Sequence, residues 1–167
     1  MNIVLIGYRG TGKSAIGKIL AAQLGRQLVS TDEEIIRRAG KSIPDIVAAH
    51  GWDYFRDLET AVCQDLAGRD NLVIDTGGGA ILRHENVKVL KGNGRLFWLT
   101  ASVETIAARI GGDSQRPSLT GTKSHVAEIR DVLSERTPKY QAAADQSIPT
   151  DGRSVEELAR TILKQVS

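Results

Sequence analysis

Gly7-Tyr8-Arg9-Gly10-Thr11-Gly12-Lys13-Ser14 fits the pattern G-x-x-x-x-G-K-[ST], whose chemistry is the holding of a polyphosphate. In such a loop the backbone N–H groups form a nest for phosphate oxygens, and the N-terminus of the following helix adds positive potential. The pattern assigns Lys13 to the β- and γ-phosphates and the Ser14 hydroxyl to Mg²⁺. Its flanks are right: a short apolar, β-branched run at Asn2–Ile6 precedes it, and apolar residues at helical spacing over 15–24 follow. A bare glycine turn does not need such flanks. The chain is expected to bind a nucleoside triphosphate.

What receives the phosphate has to be read elsewhere. Asp32 follows a second strand pattern at Gln27–Ser30, where a carboxylate can position a hydroxyl or take its proton. Taken alone, it reads better as the N-cap of a helix through Glu33-Glu34-Ile35-Ile36. Arg56 lies in the aromatic-rich run Trp52-Asp53-Tyr54-Phe55-Arg56-Asp57-Leu58-Glu59, and Arg136 in Ser134-Glu135-Arg136-Thr137-Pro138-Lys139-Tyr140. Each reads alone as a surface arginine, Arg56 paired with Asp57 or Glu59. Converging on one pocket, the two would suit a carboxylate, which guanidinium holds bidentately. Gly77-Gly78-Gly79 follows Leu72-Val73-Ile74-Asp75-Thr76. Three successive glycines are entropically costly, and they point to close backbone approach to a ligand. Arg116, in the glycine-rich polar stretch 111–121, reads either as a lid arginine over the γ-phosphate or as a plain loop arginine before Pro117. His50, His84 and His125 show no ligand spacing, so no zinc site is assigned.

These residues need a frame. Strands are predicted at Asn2–Ile6, Gln27–Ser30, Leu72–Asp75, 95–99 and 146–148, and the clearest helices at 15–24, Val103–Ile110, 126–144 and Val155–Val166. Strands alternating with helices imply βαβ units and an α/β fold, a parallel sheet covered on both faces. Ligands in such sheets bind beyond the carboxyl ends of the strands. Residues 7–14, 30–32, 75–79 and Thr100 fall there. The stretches 39–44 and 111–121 read as mobile.

A chain of 167 residues is expected to form one domain, 1–167. Its 25% charged and 41% hydrophobic residues are ordinary for a soluble globular protein. A net charge of +2 is too small to argue for nucleic acid or a membrane surface as partner. One cysteine, Cys63, excludes an internal disulfide, suits a reducing cytoplasm and is expected to be buried. No signal peptide is predicted, because the first apolar run stops at Gly7, and no run approaches a membrane span.

Taken together, the stretches resemble the shikimate kinase family over nearly the whole chain. In family order stand Gly10-Thr11-Gly12-Lys13-Ser14, Thr31-Asp32, Phe55-Arg56-Asp57-Leu58-Glu59, Gly77-Gly78-Gly79-Ala80, Gln115-Arg116-Pro117, Arg136-Thr137-Pro138-Lys139-Tyr140 and Pro149-Thr150-Asp151-Gly152-Arg153-Ser154. The resemblance implies a three-layer P-loop kinase fold with a five-stranded parallel sheet of order 2-3-1-4-5. It also implies a substrate region at about 31–62 and a lid at about 111–124. The implied reaction is transfer of the γ-phosphoryl of ATP, with Mg²⁺, to the 3-hydroxyl of shikimate, by a cytoplasmic monomer. Gly10, Thr11, Gly12, Lys13, Ser14 and Ala15 would hold the phosphates, and Lys13, Asp32 and Arg116 would serve catalysis. Asp32 would hold and help deprotonate the hydroxyl. Arg56 and Arg136 would clamp the carboxylate, helped by the N–H groups of Gly78 and Gly79. Arg116 would be the lid arginine, and Arg109 and Arg153 would flank the adenine.

The chain departs from the family pattern at two places that bear on the chemistry. The family commonly shows D-x-D after the second strand, where this chain has Ser30-Thr31-Asp32. Asp75 ends the third strand, where the family usually has a small uncharged residue. The expectation is that Asp75 supplies the outer-shell Mg²⁺ carboxylate; the alternative is that it only orders the glycine loop. Ser118 stands where a bulky apolar residue often follows Arg-Pro. Two other readings are a kinase for a different polyol acid, such as gluconate, and a nucleotide-binding module without catalysis.

Overall fold

Strands that are apolar on both faces must be covered on both faces, and the first strand shows this directly: Asn2, Ile3, Val4, Leu5 and Ile6 are all buried. The computed structural model describes residues 1–110 and 125–166. Its strands are β1 (Asn2–Ile6), β2 (Gln27–Ser30), β3 (Leu72–Asp75), β4 (Gly94–Thr100) and β5 (Gln146–Pro149). They form one sheet in the order β2-β3-β1-β4-β5, every neighbouring pair parallel. This is the order the family resemblance implies, and each predicted strand matches within a residue.

The helices are α1 (Lys13–Leu24), α2 (Thr31–Ala39), α3 (Ile43–His50), α4 (Trp52–Ala67), α5 (His84–Gly92), α6 (Val103–Ile110), α7 (His125–Ala143) and α8 (Val155–Val166), with a 3₁₀ turn at Ala80–Leu82. Alternate residues of β1 serve opposite layers, as the twofold period of a strand requires. Ile3 and Leu5 pack with Ile16 and Leu20 of α1 and with Leu158 and Ile162 of α8. Val4 and Ile6 face the other layer, which holds Phe55, Val62 and Leu66 of α4, Leu90 of α5 and Tyr140 of α7. A third cluster, Tyr8 with Ile106, Ile129 and Val132, ties α6 and α7 to the loop after β1. Cys63 is buried in the α4 layer, where burial and the charge of Glu59 push its thiol pKa up to about 12. It is therefore inert at neutral pH.

Two helix starts differ from the sequence reading. α1 begins at Lys13, so the loop lysine and serine already belong to its first turn; Gly12 ahead of it is left-handed, φ 92°. α2 is capped by Ser30, whose Oγ accepts from Glu33 N at 3.2 Å. Asp32 therefore lies inside the first turn and is not the cap. No described helix is long and apolar enough to cross a membrane.

Candidate active site

The phosphate loop leaves the sheet between β1 and β4, and that exit demands glycine. Gly7 has φ 142°, and a Cβ there would stand 2.6 Å from the carbonyl oxygen of Leu99. Inside the loop, Lys13 Nζ donates to the carbonyls of Gly7 at 2.8 Å and Tyr8 at 3.0 Å. Thr11 Oγ1 donates to Tyr8 O at 2.8 Å. A buried ammonium held at a helix N-terminus within a glycine loop suits a polyphosphate.

Beside the loop, Ser14 Oγ donates to Asp75 Oδ2 at 2.6 Å. Asp75 closes β3 and is buried; burial holds its pKa above the usual carboxylate range, against the pull of Lys13 and the Ser14 hydrogen bond. Among the described residues no group of three or more His, Cys, Asp or Glu forms a metal cage. A hydroxyl with one carboxylate fits Mg²⁺, which is usually held by one or two carboxylates, substrate phosphates and water.

A cleft of about 510 Å³ runs from Lys13 past Asp75 and Gly78 to Asp32, with Ile43 and Pro44 of α3 at its far wall. Asp32 is half-buried. Sheet and cleft thus bring the phosphate loop, Asp75, Asp32 and the triple glycine to one edge, the carboxyl ends of the strands.

Arg56 and Arg136 are both buried, on α4 and α7, so neither is the surface arginine that it resembles in isolation. Arg56 Nη1 donates to Glu59 Oε1 at 2.9 Å, and its guanidinium lies 5.5 Å and 5.2 Å from the Trp52 and Phe55 rings. Both arginines meet the triple glycine. A Cβ on Gly79 would fall 2.6 Å from Arg56 Cζ. One on Gly78 would lie 3.6 Å from Arg136 Nη1, from Arg9 N and from Gly7 O alike. The glycine ledge therefore separates the arginines from the phosphate loop by a single residue.

The ledge is itself tied down. Thr31 Oγ1 accepts from Gly77 N at 2.9 Å, Thr76 Oγ1 donates to Leu5 O at 2.7 Å, and the Tyr140 hydroxyl donates to the Gly78 carbonyl. Burial pushes the Tyr140 pKa up to about 12, which keeps that hydroxyl a donor. Sequence reasoning gave Thr31 and Tyr140 no positioning role, and it offered Glu59 as a partner of Arg56 only on the surface. Glu59 and Tyr140 had a signal, standing three and four residues after the arginines they serve on one helical face. Thr31 had none.

On the other flank, Arg109 Nη1 donates to Gly10 O at 3.1 Å and Thr150 Oγ1 at 3.2 Å. Arg153 donates to Pro149 O at 3.4 Å and Thr161 Oγ1 at 2.7 Å. Arg109 thus links the segment after β5 to the phosphate loop, and Arg153, within that segment, ties the end of β5 to α8. Arg116 lies outside the described residues.

A phosphate loop on the first strand of a 2-3-1-4-5 parallel sheet, with a carboxylate-lined cleft at its mouth, defines an α/β P-loop kinase that acts on a small molecule. The family model for shikimate kinase matches residues 9–167. The shikimate kinase of Persephonella marina is 40% identical over 165 residues, covering 99% of this chain and 98% of that protein. That of Syntrophus aciditrophicus is 43% identical over 175 residues, covering 98% and 90%. The solved structure of the Acinetobacter baumannii shikimate kinase in complex with shikimate shares 38% identity, with a TM-score of 0.94 over 99% of this chain and 92% of that one. The chain belongs to the shikimate kinase family, whose enzymes use ATP and Mg²⁺.

Proposed function

We propose that this chain transfers the γ-phosphoryl of ATP to the 3-hydroxyl of shikimate, with the residue roles set out below. The observation that carries the reading is the position of Gly78. It sits between the phosphate loop and Arg136, with Arg56 against the next glycine, so an anionic acceptor held by the arginines would lie beside the nucleotide's terminal phosphate.

In this reading residues 31–62 house the acceptor. Arg56 and Arg136 grip its carboxylate, with the Gly78 and Gly79 amides assisting. Asp32 orients the acceptor hydroxyl and takes its proton as the new O–P bond forms and the bond from Pγ to the β–γ bridging oxygen breaks, releasing ADP. Residues 10–15 cradle the phosphates, and Lys13 neutralises charge that builds on the transferred group. Ser14 would hold Mg²⁺, which when bound would offset the negative charge of the phosphates. Arg109 and Arg153 flank the base. Arg116, on the segment 111–124, is assigned to the lid on the motif alone. The enzyme is read as a monomer in a cytoplasm that supplies ATP.

The reading is tested by ADP release from ATP–Mg²⁺ with shikimate, gluconate and quinate in parallel. Stimulation by shikimate is the expected result. Stimulation by gluconate alone would replace the acceptor, and nucleotide binding without any acceptor-stimulated turnover would leave only a binding module. The ledge gives a sharper check. Gly79→Ala drives a Cβ into the Arg56 guanidinium, and a hydrogen bond to a charged group is worth about 1.5–3 kcal/mol. The KM for shikimate should therefore rise about 10–100-fold while the KM for ATP stays nearly unchanged. Steady-state kinetics in both substrates reads the difference.

A further inference from the structure

We infer that the carboxylate of the Mg²⁺ site in this chain is carried by β3, as Asp75 acting through water, and not by β2. The inference rests on the reading of the cleft as an ATP–Mg²⁺ kinase site. Its first support is contact: Oδ2 of Asp75 lies 2.6 Å from the Oγ of Ser14, the one loop hydroxyl placed to meet the cation. Its second is composition. The rest of β3 is Leu72, Val73 and Ile74, and a carboxylate buried at its end is costly to hold without a cationic partner. Lys13 offers part of that charge, and it also donates to the Gly7 and Tyr8 carbonyls.

The third support is register. Ser30 and Asp75 are Cα partners across the parallel β2–β3 ladder, so their side chains stand at the same level on strands about 4.8 Å apart. Both line the cleft. The Ser30 hydroxyl accepts from Glu33 N and caps α2, so it brings no negative charge. Asp32, in the first turn of α2, is the other carboxylate that lines the cleft. Its proposed task is to accept a proton, which a cation bound to the same oxygens would oppose. Two tasks are thus divided between two carboxylates. Mg²⁺ keeps several of its waters, so a partner one water removed from the ion suffices.

The register pairing makes the assignment testable by moving the charge. The probe is ADP, whose binding to wild type, Asp75→Asn and Ser30→Asp/Asp75→Asn is followed by calorimetry across a Mg²⁺ titration, with no acceptor and no turnover. Asn is isosteric and can still accept from Ser14, so the hydrogen bond survives and only the charge is lost. Expected is metal-free ADP affinity close to wild type in all three. The Mg²⁺ concentration at half-effect should rise about 10–100-fold in Asp75→Asn and return toward wild type in the double variant. An unchanged Mg²⁺ requirement in Asp75→Asn overturns the inference and leaves Asp75 as the residue that orients Ser14. A defect already present without metal, and not repaired by Ser30→Asp, overturns it too. The kinase reading fails separately: wild type would then bind Mg²⁺–ADP normally yet show no shikimate-stimulated ADP release.

Discussion

Asp32→Asn should lower kcat for shikimate phosphorylation by about 10²–10⁴-fold, the usual contribution of a positioned general base. Asn keeps the size and one acceptor oxygen, so the acceptor hydroxyl can still be oriented, but its proton has nowhere to go. The fold gives a clean background for this test. The α2 cap is Ser30, so removing the Asp32 charge does not uncap the helix. The helix-dipole interaction of Asp32 is worth about 0.3–1 kcal/mol, and Glu33 and Glu34 in the same turn supply it as well. KM for both substrates should change little. A loss of fivefold or less would remove Asp32 from the proton transfer.

The inner strands β1, β3 and β4 were legible because each is short, largely apolar and punctuated by glycine or polar residues, and because central strands in a parallel sheet leave no polar face to confuse the pattern. The phosphate loop was legible for the opposite reason: its chemistry dictates residue types one by one. What stayed hidden depended on contacts across the fold. Arg56 and Arg136 read as surface residues until α4 and α7 close over Gly78 and Gly79, since nothing local says that an arginine is buried. Ser30 and Asp32 are both good capping residues two positions apart, and the point where β2 ends chooses between them. The Arg109 bridge to Gly10 spans 99 positions of sequence, and no spacing rule reaches that far. The starts of α2 and α3 were set by the Ser30 and Ser42 caps, whereas α4 and α5 have no side-chain cap and owe their bounds more to packing than to periodicity.

Glu59→Ala should cost about 3–5 kcal/mol of stability, the usual effect of breaking a buried ion pair by removing one partner. Glu59 has no exposed surface, and its Oε1 accepts from Arg56 Nη1 at 2.9 Å. Without it the guanidinium remains largely buried, beside the Trp52 and Phe55 rings and Gly79. For a chain of this size the melting temperature should fall by roughly 6–20 °C. A double variant, Arg56→Met/Glu59→Leu, separates stability from function. Replacing a buried pair by apolar groups of similar volume is often neutral or stabilising, so the double variant should melt well above Glu59→Ala. It should nonetheless lose binding of the shikimate carboxylate, because the cation that meets it is gone. A double variant as unstable as Glu59→Ala would mean that the pair holds α4 in place for its own sake. Recovery of the melting temperature without recovery of acceptor binding would mean that the buried charge is kept for the substrate, and that Glu59 is the residue that lets an arginine wait there.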